Sequence, residues 1–61
     1  AFQKSVVAAR DLSAGTTISE ADVAYKKPDR GISASQYRSV IGKRLTVSKA
    51  KDDYIVKEDI E

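Results

Sequence analysis

The sequence predicts a single small, mainly β domain across residues 1–61, made of short strands, single helical turns and two internally similar halves. Three observations predict it. β-branched residues gather in runs too short for long strands, each closed by Gly, Pro, Asp or Ser. Helical spacing of apolar residues stands out in one stretch, at Tyr37, Val40 and Ile41. An order of turn, extended apolar residue, acidic turn and apolar residue also comes twice, thirty-seven positions apart.

The elements follow in chain order. Ser5-Val6-Val7-Ala8-Ala9 is β-branched at its centre and reads as a strand. Gly15 suits a turn with positive φ, after which Thr16-Thr17-Ile18 resumes an extended path. Ser19 with Asp22 three residues on resembles a capping box and predicts one helical turn. Val23-Ala24-Tyr25-Lys26-Lys27 is a second strand, with Val23 and Tyr25 on one face, stopped by Pro28, which cannot donate to a ladder. Pro28-Asp29-Arg30-Gly31 is a turn. The one helix of about two turns is capped by Ser33, with Gln36 three residues on, and ends at Gly42. Short strands at Arg44-Leu45-Thr46-Val47 and Tyr54-Ile55-Val56 flank a charged turn through Lys51-Asp52-Asp53. The expected core is Val6, Ala8, Leu12, Ile18, Val23, Val40, Ile41, Leu45, Val47, Ile55 and Ile60.

The repeat is weak and rests on a few positions. Ile18 lies over Ile55, Asp22 over Asp59 and Val23 over Ile60. Two such halves can pack about a local two-fold axis and share a core that neither builds alone.

Composition limits the chemistry. A chain of 61 residues hides only about 60% of its unfolded surface, so the core is thin. With no Cys there is neither a disulfide nor a thiolate metal site, and with no His the usual catalytic base is missing. Adjacent acids such as Asp52-Asp53 and Glu58-Asp59 point to opposite sides of an extended chain, so they read as turn and surface acids. No catalytic residue and no metal ligand is expected. The formal charge is +2, with the basic residues scattered, which argues against nucleic acid as a partner. The longest apolar run, Val6-Val7-Ala8-Ala9, is far too short for a membrane span, and no export signal is expected.

The opening Ser5-Val6-Val7-Ala8, then Asp11-Leu12-Ser13-Ala14-Gly15-Thr16-Thr17-Ile18-Ser19 and Asp22, is similar to the start of the SAF domain. Lys26-Lys27-Pro28-Asp29-Arg30-Gly31-Ile32, with Gly42-Lys43 after the short helix, resembles the C-terminal antifreeze-like domain of bacterial sialic acid synthases. The likeness runs from Ser5 to Ile60, and its specificity comes from the order and spacing of short motifs. It implies a pretzel-like β-clip shared with fish type III antifreeze proteins. It also implies a cytoplasmic synthase in which this domain follows a TIM barrel. That barrel condenses phosphoenolpyruvate with an N-acetylated amino sugar and holds the divalent metal, so no cofactor belongs to this domain. The partner implied is the barrel of the other subunit in a swapped homodimer, whose active site the small domain covers as a lid.

One position carries the implied sugar contact. The family's residue before the proline is typically an arginine that reaches the sugar; here Lys27 matches it, keeping the charge without the planar fork. Lys26 reads as a surface charge. Two departures fall in the second half: Lys49 stands where the family carries an apolar residue, and Asp52 where it carries a turn glycine. The resemblance also offers an ice-binding alternative, with a face at Gly15, Thr16, Thr17, Ser19 and Ala21. Glu20 and Arg44 match positions on the same face, and their long charged side chains roughen it. A SAF module of pilus or flagellar assembly is a further alternative, disfavoured by the helix that ends in Gly42-Lys43 after the Pro28 turn.

Overall fold

The computed structural model describes residues 4–27 and 30–61. Strand β1 (Ser5–Ala8) pairs antiparallel with β2 (Val23–Lys26), Ser5 opposite Lys26 and Ala8 opposite Val23. Isolated antiparallel bridges hold much of the remainder, among them Val7 with Tyr54, Leu12 with Lys49, Thr17 with Arg44 and Leu45 with Ile60. The expected strands over 44–47 and 54–56 are thereby reduced to single bridges, because the chain turns away after one or two paired residues. The helical content is three 3-10 segments, Glu20–Asp22, Ala34–Ser39 and Lys57–Asp59.

β1 lies at the centre. One edge faces β2, and the other takes hydrogen bonds from the distant chain: Val6 N donates to Ile32 O at 2.9 Å, Ala8 N to Asp53 O at 2.9 Å, and Ile55 N to Val6 O at 3.1 Å. With both edges and both faces covered, all four of its residues are buried. Val7, absent from the expected core, is therefore as buried as Val6.

Several backbone bonds repeat between the two halves at the thirty-seven-residue offset. Gly15 N donates to Leu45 O at 2.7 Å, and its counterpart Asp52 N donates to Ala8 O at 2.8 Å. Ile18 N donates to Lys43 O at 2.8 Å, matching Ile55 N to Val6 O at 3.1 Å. Ala9 N to Asp22 O at 2.9 Å repeats as Thr46 N to Asp59 O at 2.7 Å. Leu12 and Lys49 exchange both backbone bonds, at 2.7 and 2.8 Å, and so straddle the axis. The turn dihedrals match as well: Gly15 has φ 91° and Asp52 φ 74°, the left-handed conformation anticipated where the family carries glycine.

The core holds Val6, Val7, Ala8, Leu12, Ile18, Val23, Ile32, Val40, Leu45 and Ile55, with Tyr37, Ile41 and Ile60 packed half-buried against it. Val47 is a correction: it is 42% exposed. It is the counterpart of exposed Arg10, just past the Thr46 N to Asp59 O bond, where the chain swings outward. Tyr25, on the face of Val23, is 40% exposed and adds nothing to the core. The expected helix is also corrected. Ala34–Ser39 is a 3-10 segment broken by a kink at Gln36, and Val40 and Ile41 lie in the turn beyond it. Ser33 does cap it, its Oγ accepting from Ser35 N at 3.3 Å. A 3-10 segment is what a short, poorly nucleated helix becomes when a few tertiary contacts fix its ends.

The acidic turns do structural work. Asp22 Oδ2 accepts from the backbone N–H and the hydroxyl of Ser19, both at 2.9 Å, while its other oxygen meets the Arg10 guanidinium. Asp59 repeats the backbone bond, its Oδ2 accepting from Val56 N at 3.0 Å, and the same oxygen pairs with Lys49 Nζ at 2.7 Å. Asp59 is buried rather than a surface acid, and Lys49, in place of an apolar core residue, supplies its counter-charge. The Ser19 backbone hydrogen bond, reinforced by the Ser19 hydroxyl and by Arg10, outweighs burial and holds the Asp22 carboxyl below its ordinary value of 3.8. A carboxyl lowered by folding stabilises the fold above its unfolded pKa, and that stability is lost as pH falls through the folded value. Urea unfolding from pH 7 down to about pH 2 should therefore show a loss below about pH 4 that is smaller in Asp22→Asn. An identical acid profile in the variant would leave Asp22 without this role.

Candidate functional site

Basic residues gather where β1 begins and β2 ends. β2 delivers Lys26 and, directly after it, Lys27; Lys26 pairs across to Ser5, beside Lys4 at the start of β1. All three lysines are exposed. Of the expected turn from Pro28 to Gly31, the first two residues lie outside those described; Arg30 N donates to Ser5 Oγ in β1. The Ser5 hydroxyl is fully buried, so this bond fixes the chain on the far side of the turn.

Tyr54, from the second half, ties the cluster together. Its hydroxyl donates to Lys27 O at 3.1 Å, and the Arg30 guanidinium carbon lies 5.8 Å from its ring centroid. That separation is within the range of a cation–π contact. Gly31 reinforces the seat: a Cβ there would lie 2.8 Å from Val56 Cγ1 and 3.1 Å from Ile55 O, so only glycine lets the turn press this closely. The cluster offers ammonium and guanidinium donors beside an aromatic face, a set suited to carbonyl, hydroxyl and carboxylate oxygens.

Sequence reasoning names Lys27; the structure places Arg30 and Tyr54, which it does not name, beside it. Arg30 lies only three residues on and was read as part of a turn; Tyr54 is joined to Lys27 by a hydrogen bond that no local pattern announces. The face considered for ice lies along residues 15–21. Gly15 (φ 91°), Thr17, Ser19 and Ala21 are exposed and Thr16 is half-buried. Thr17 bridges Arg44, which is ion-paired with Glu61 at 2.7 Å on the surface. Among the described residues, no cluster of three or more His, Cys, Asp or Glu side chains could hold a metal ion, and no helix is long and apolar enough to cross a membrane. Of the paired acids, Asp52 shapes a turn and Asp53 Oδ2 accepts from Ala50 N at 3.0 Å.

The SAF domain family model matches residues 3–61. The chain belongs to the SAF family. This SAF domain is 36% identical over 56 residues to the N,N'-diacetyllegionaminic acid synthase of Campylobacter jejuni, a match covering 92% of this chain and 16% of that protein. It is 28% identical over 58 residues to an uncharacterized protein of Methanocaldococcus jannaschii, covering 95% of this chain and 17% of the relative. The SAF domain thus spans less than a fifth of either relative. Among solved structures, the antifreeze-like domain of human N-acetylneuraminic acid phosphate synthase superimposes with a TM-score of 0.88 at 26% identity, over 93% of this chain and 73% of that one. A putative spore coat polysaccharide biosynthesis protein E of Chromobacterium violaceum shares the fold, with a TM-score of 0.83 at 20% identity over 97% of this chain and 18% of that one. The antifreeze-like β-clip expected from the motifs is the fold observed.

Proposed function

We propose that this SAF domain is the non-catalytic lid of a cytoplasmic nonulosonic acid synthase, the sialic or legionaminic acid type that condenses phosphoenolpyruvate with an N-acetylated amino sugar. In this reading it follows a TIM barrel and covers the active site of the partner subunit in a swapped homodimer. The observation that carries the reading is the 36% identity, over 92% of the chain, to N,N'-diacetyllegionaminic acid synthase. The chemistry and the divalent metal belong to the barrel. The domain excludes water and lends polar contacts to the sugar.

Lys27 is the contact. Its backbone carbonyl is anchored by Tyr54, and its flexible stem brings an ammonium to sugar oxygens as a point charge. Ice binding is the weaker reading, because the charged Arg44–Glu61 ion pair stands beside Thr17 and roughens that face.

The test uses the full chain that carries this domain. Lys27→Ala should weaken amino-sugar binding by about 1–3 kcal/mol, read as a raised KM with a smaller change in kcat. Lys27→Arg should preserve or improve binding, and Lys26→Ala should be nearly silent. The isolated domain, given phosphoenolpyruvate, N-acetylmannosamine and manganese, should release no phosphate. Turnover by the domain alone, or parental kinetics in Lys27→Ala, would overturn the assignment.

A further inference from the structure

We propose that Tyr54 is the positioning residue of the sugar contact: the second half of the fold sets where the first half presents Lys27. The inference rests on the lid reading and deepens it by naming what aims that contact.

Tyr54 has a firmly held backbone. It bridges Val7 in β1, between the bonds from Ala8 N to Asp53 O at 2.9 Å and from Ile55 N to Val6 O at 3.1 Å. The next residue, Ile55, is wholly buried, while Tyr54 itself is half-buried. Its hydroxyl donates to Lys27 O at 3.1 Å, and the Arg30 guanidinium carbon lies 5.8 Å from its ring centroid. One aromatic side chain thus touches the described residues on both sides of positions 28 and 29. Arg30 is held a second time, through its backbone N–H on the buried Ser5 hydroxyl.

The internal repeat separates this role from the needs of the fold. The counterpart of Tyr54 is Thr17, which bridges Arg44 as Tyr54 bridges Val7 and is exposed. A threonine serves that bridge, so the bridge does not require a long aromatic side chain. At position 54 the two-fold relation is broken, and the extra reach is directed to the residue that follows β2.

A lysine stem is flexible, so the reach of its ammonium depends on where its backbone is held. A hydrogen bond on the Lys27 carbonyl holds that backbone before the sugar arrives and reduces the ordering left for the binding step. Such preorganisation acts alike in ground and transition states, and therefore shows in KM more than in kcat.

The test is a double-mutant cycle on the full chain that carries this domain. It uses phosphoenolpyruvate and whichever of N-acetylmannosamine and its diacetamido analogue the parent condenses. Tyr54→Phe keeps the ring and removes the hydroxyl; it should raise KM for the amino sugar about three- to tenfold, with kcat within about twofold. Tyr54→Thr keeps a hydroxyl without the reach and should raise KM at least as far. In a Lys27→Ala background, Tyr54→Phe should change KM by less than about twofold, because its effect runs through Lys27. A residue that only supported the fold would act alike in both backgrounds. Where Lys27→Ala alone raises KM, three results would overturn the role of Tyr54 and leave the lid reading standing. They are parental KM in either Tyr54 variant, an effect confined to kcat, and the same KM rise with and without Lys27. Parental kinetics in Lys27→Ala, or condensation of neither sugar by the parent, would overturn both.

Discussion

Gly31→Ala should be among the most damaging single-methyl changes available to this protein. Gly31 has φ 77°, where an L side chain costs about 1–2 kcal/mol. The added Cβ would also lie 2.8 Å from Val56 Cγ1 and 3.1 Å from the Ile55 carbonyl oxygen. The methyl could rotate away, but the carbonyl belongs to a backbone whose N–H is already bonded to Val6 O at 3.1 Å. Relieving such overpacking typically costs a further 1–3 kcal/mol, for a total of about 2–5 kcal/mol. A domain of this size has roughly 3–9 kcal/mol in all, so a large fraction of molecules should unfold near room temperature. Gly42→Ala is the control. It has φ 88° with nothing within 4 Å of the added Cβ, so it should lose only the backbone term. Urea midpoints of the two variants separate conformation from packing; equal losses would mean that the Ile55–Val56 wall yields freely.

What the sequence announced and what it hid divide along the distance over which each interaction acts. The repeat was legible because Ile18 and Ile55, Asp22 and Asp59, and Val23 and Ile60 keep residue type through local turn chemistry, which a linear reading can see. The family was legible for the same reason, since its signature is a series of short turns at fixed spacing. Val7 lies outside the expected core because no local pattern shows that β1 is enclosed by β2 on one edge and by residues near 32 and 53–55 on the other. Val47 misled because a β-branched residue next to Leu45 and Thr46 looks like strand, and only its equivalence to Arg10 reveals the outward corner. Lys49 and Asp59 looked like a core defect and a surface acid, and became an ion pair at 2.7 Å once the halves were folded together. At the candidate site Lys27 is named from its neighbours in sequence. Arg30 and Tyr54 are not, because the contact that joins them links residues far apart in the chain.

Ile18→Ala and Ile55→Ala should each cost about 2–5 kcal/mol, and by similar amounts, within about 1 kcal/mol of one another. The two side chains are 1% and 0% exposed and belong to the same core cluster. Each follows a paired residue, Thr17 or Tyr54, and each backbone N–H donates to the opposite half, to Lys43 O at 2.8 Å and Val6 O at 3.1 Å. Removing either leaves a cavity in a core cluster that residues of both halves share. A thin core in a chain of 61 residues has few neighbours able to move in. The double variant should have no cooperative unfolding transition at 25 °C, since the summed loss reaches the whole stability of a domain this small. Urea denaturation followed by far-UV circular dichroism reads all three. If one substitution were tolerated at under about 1 kcal/mol while the other unfolded the chain, the shared core would be built mainly by one half, and the two-fold relation would describe the backbone without describing the energetics.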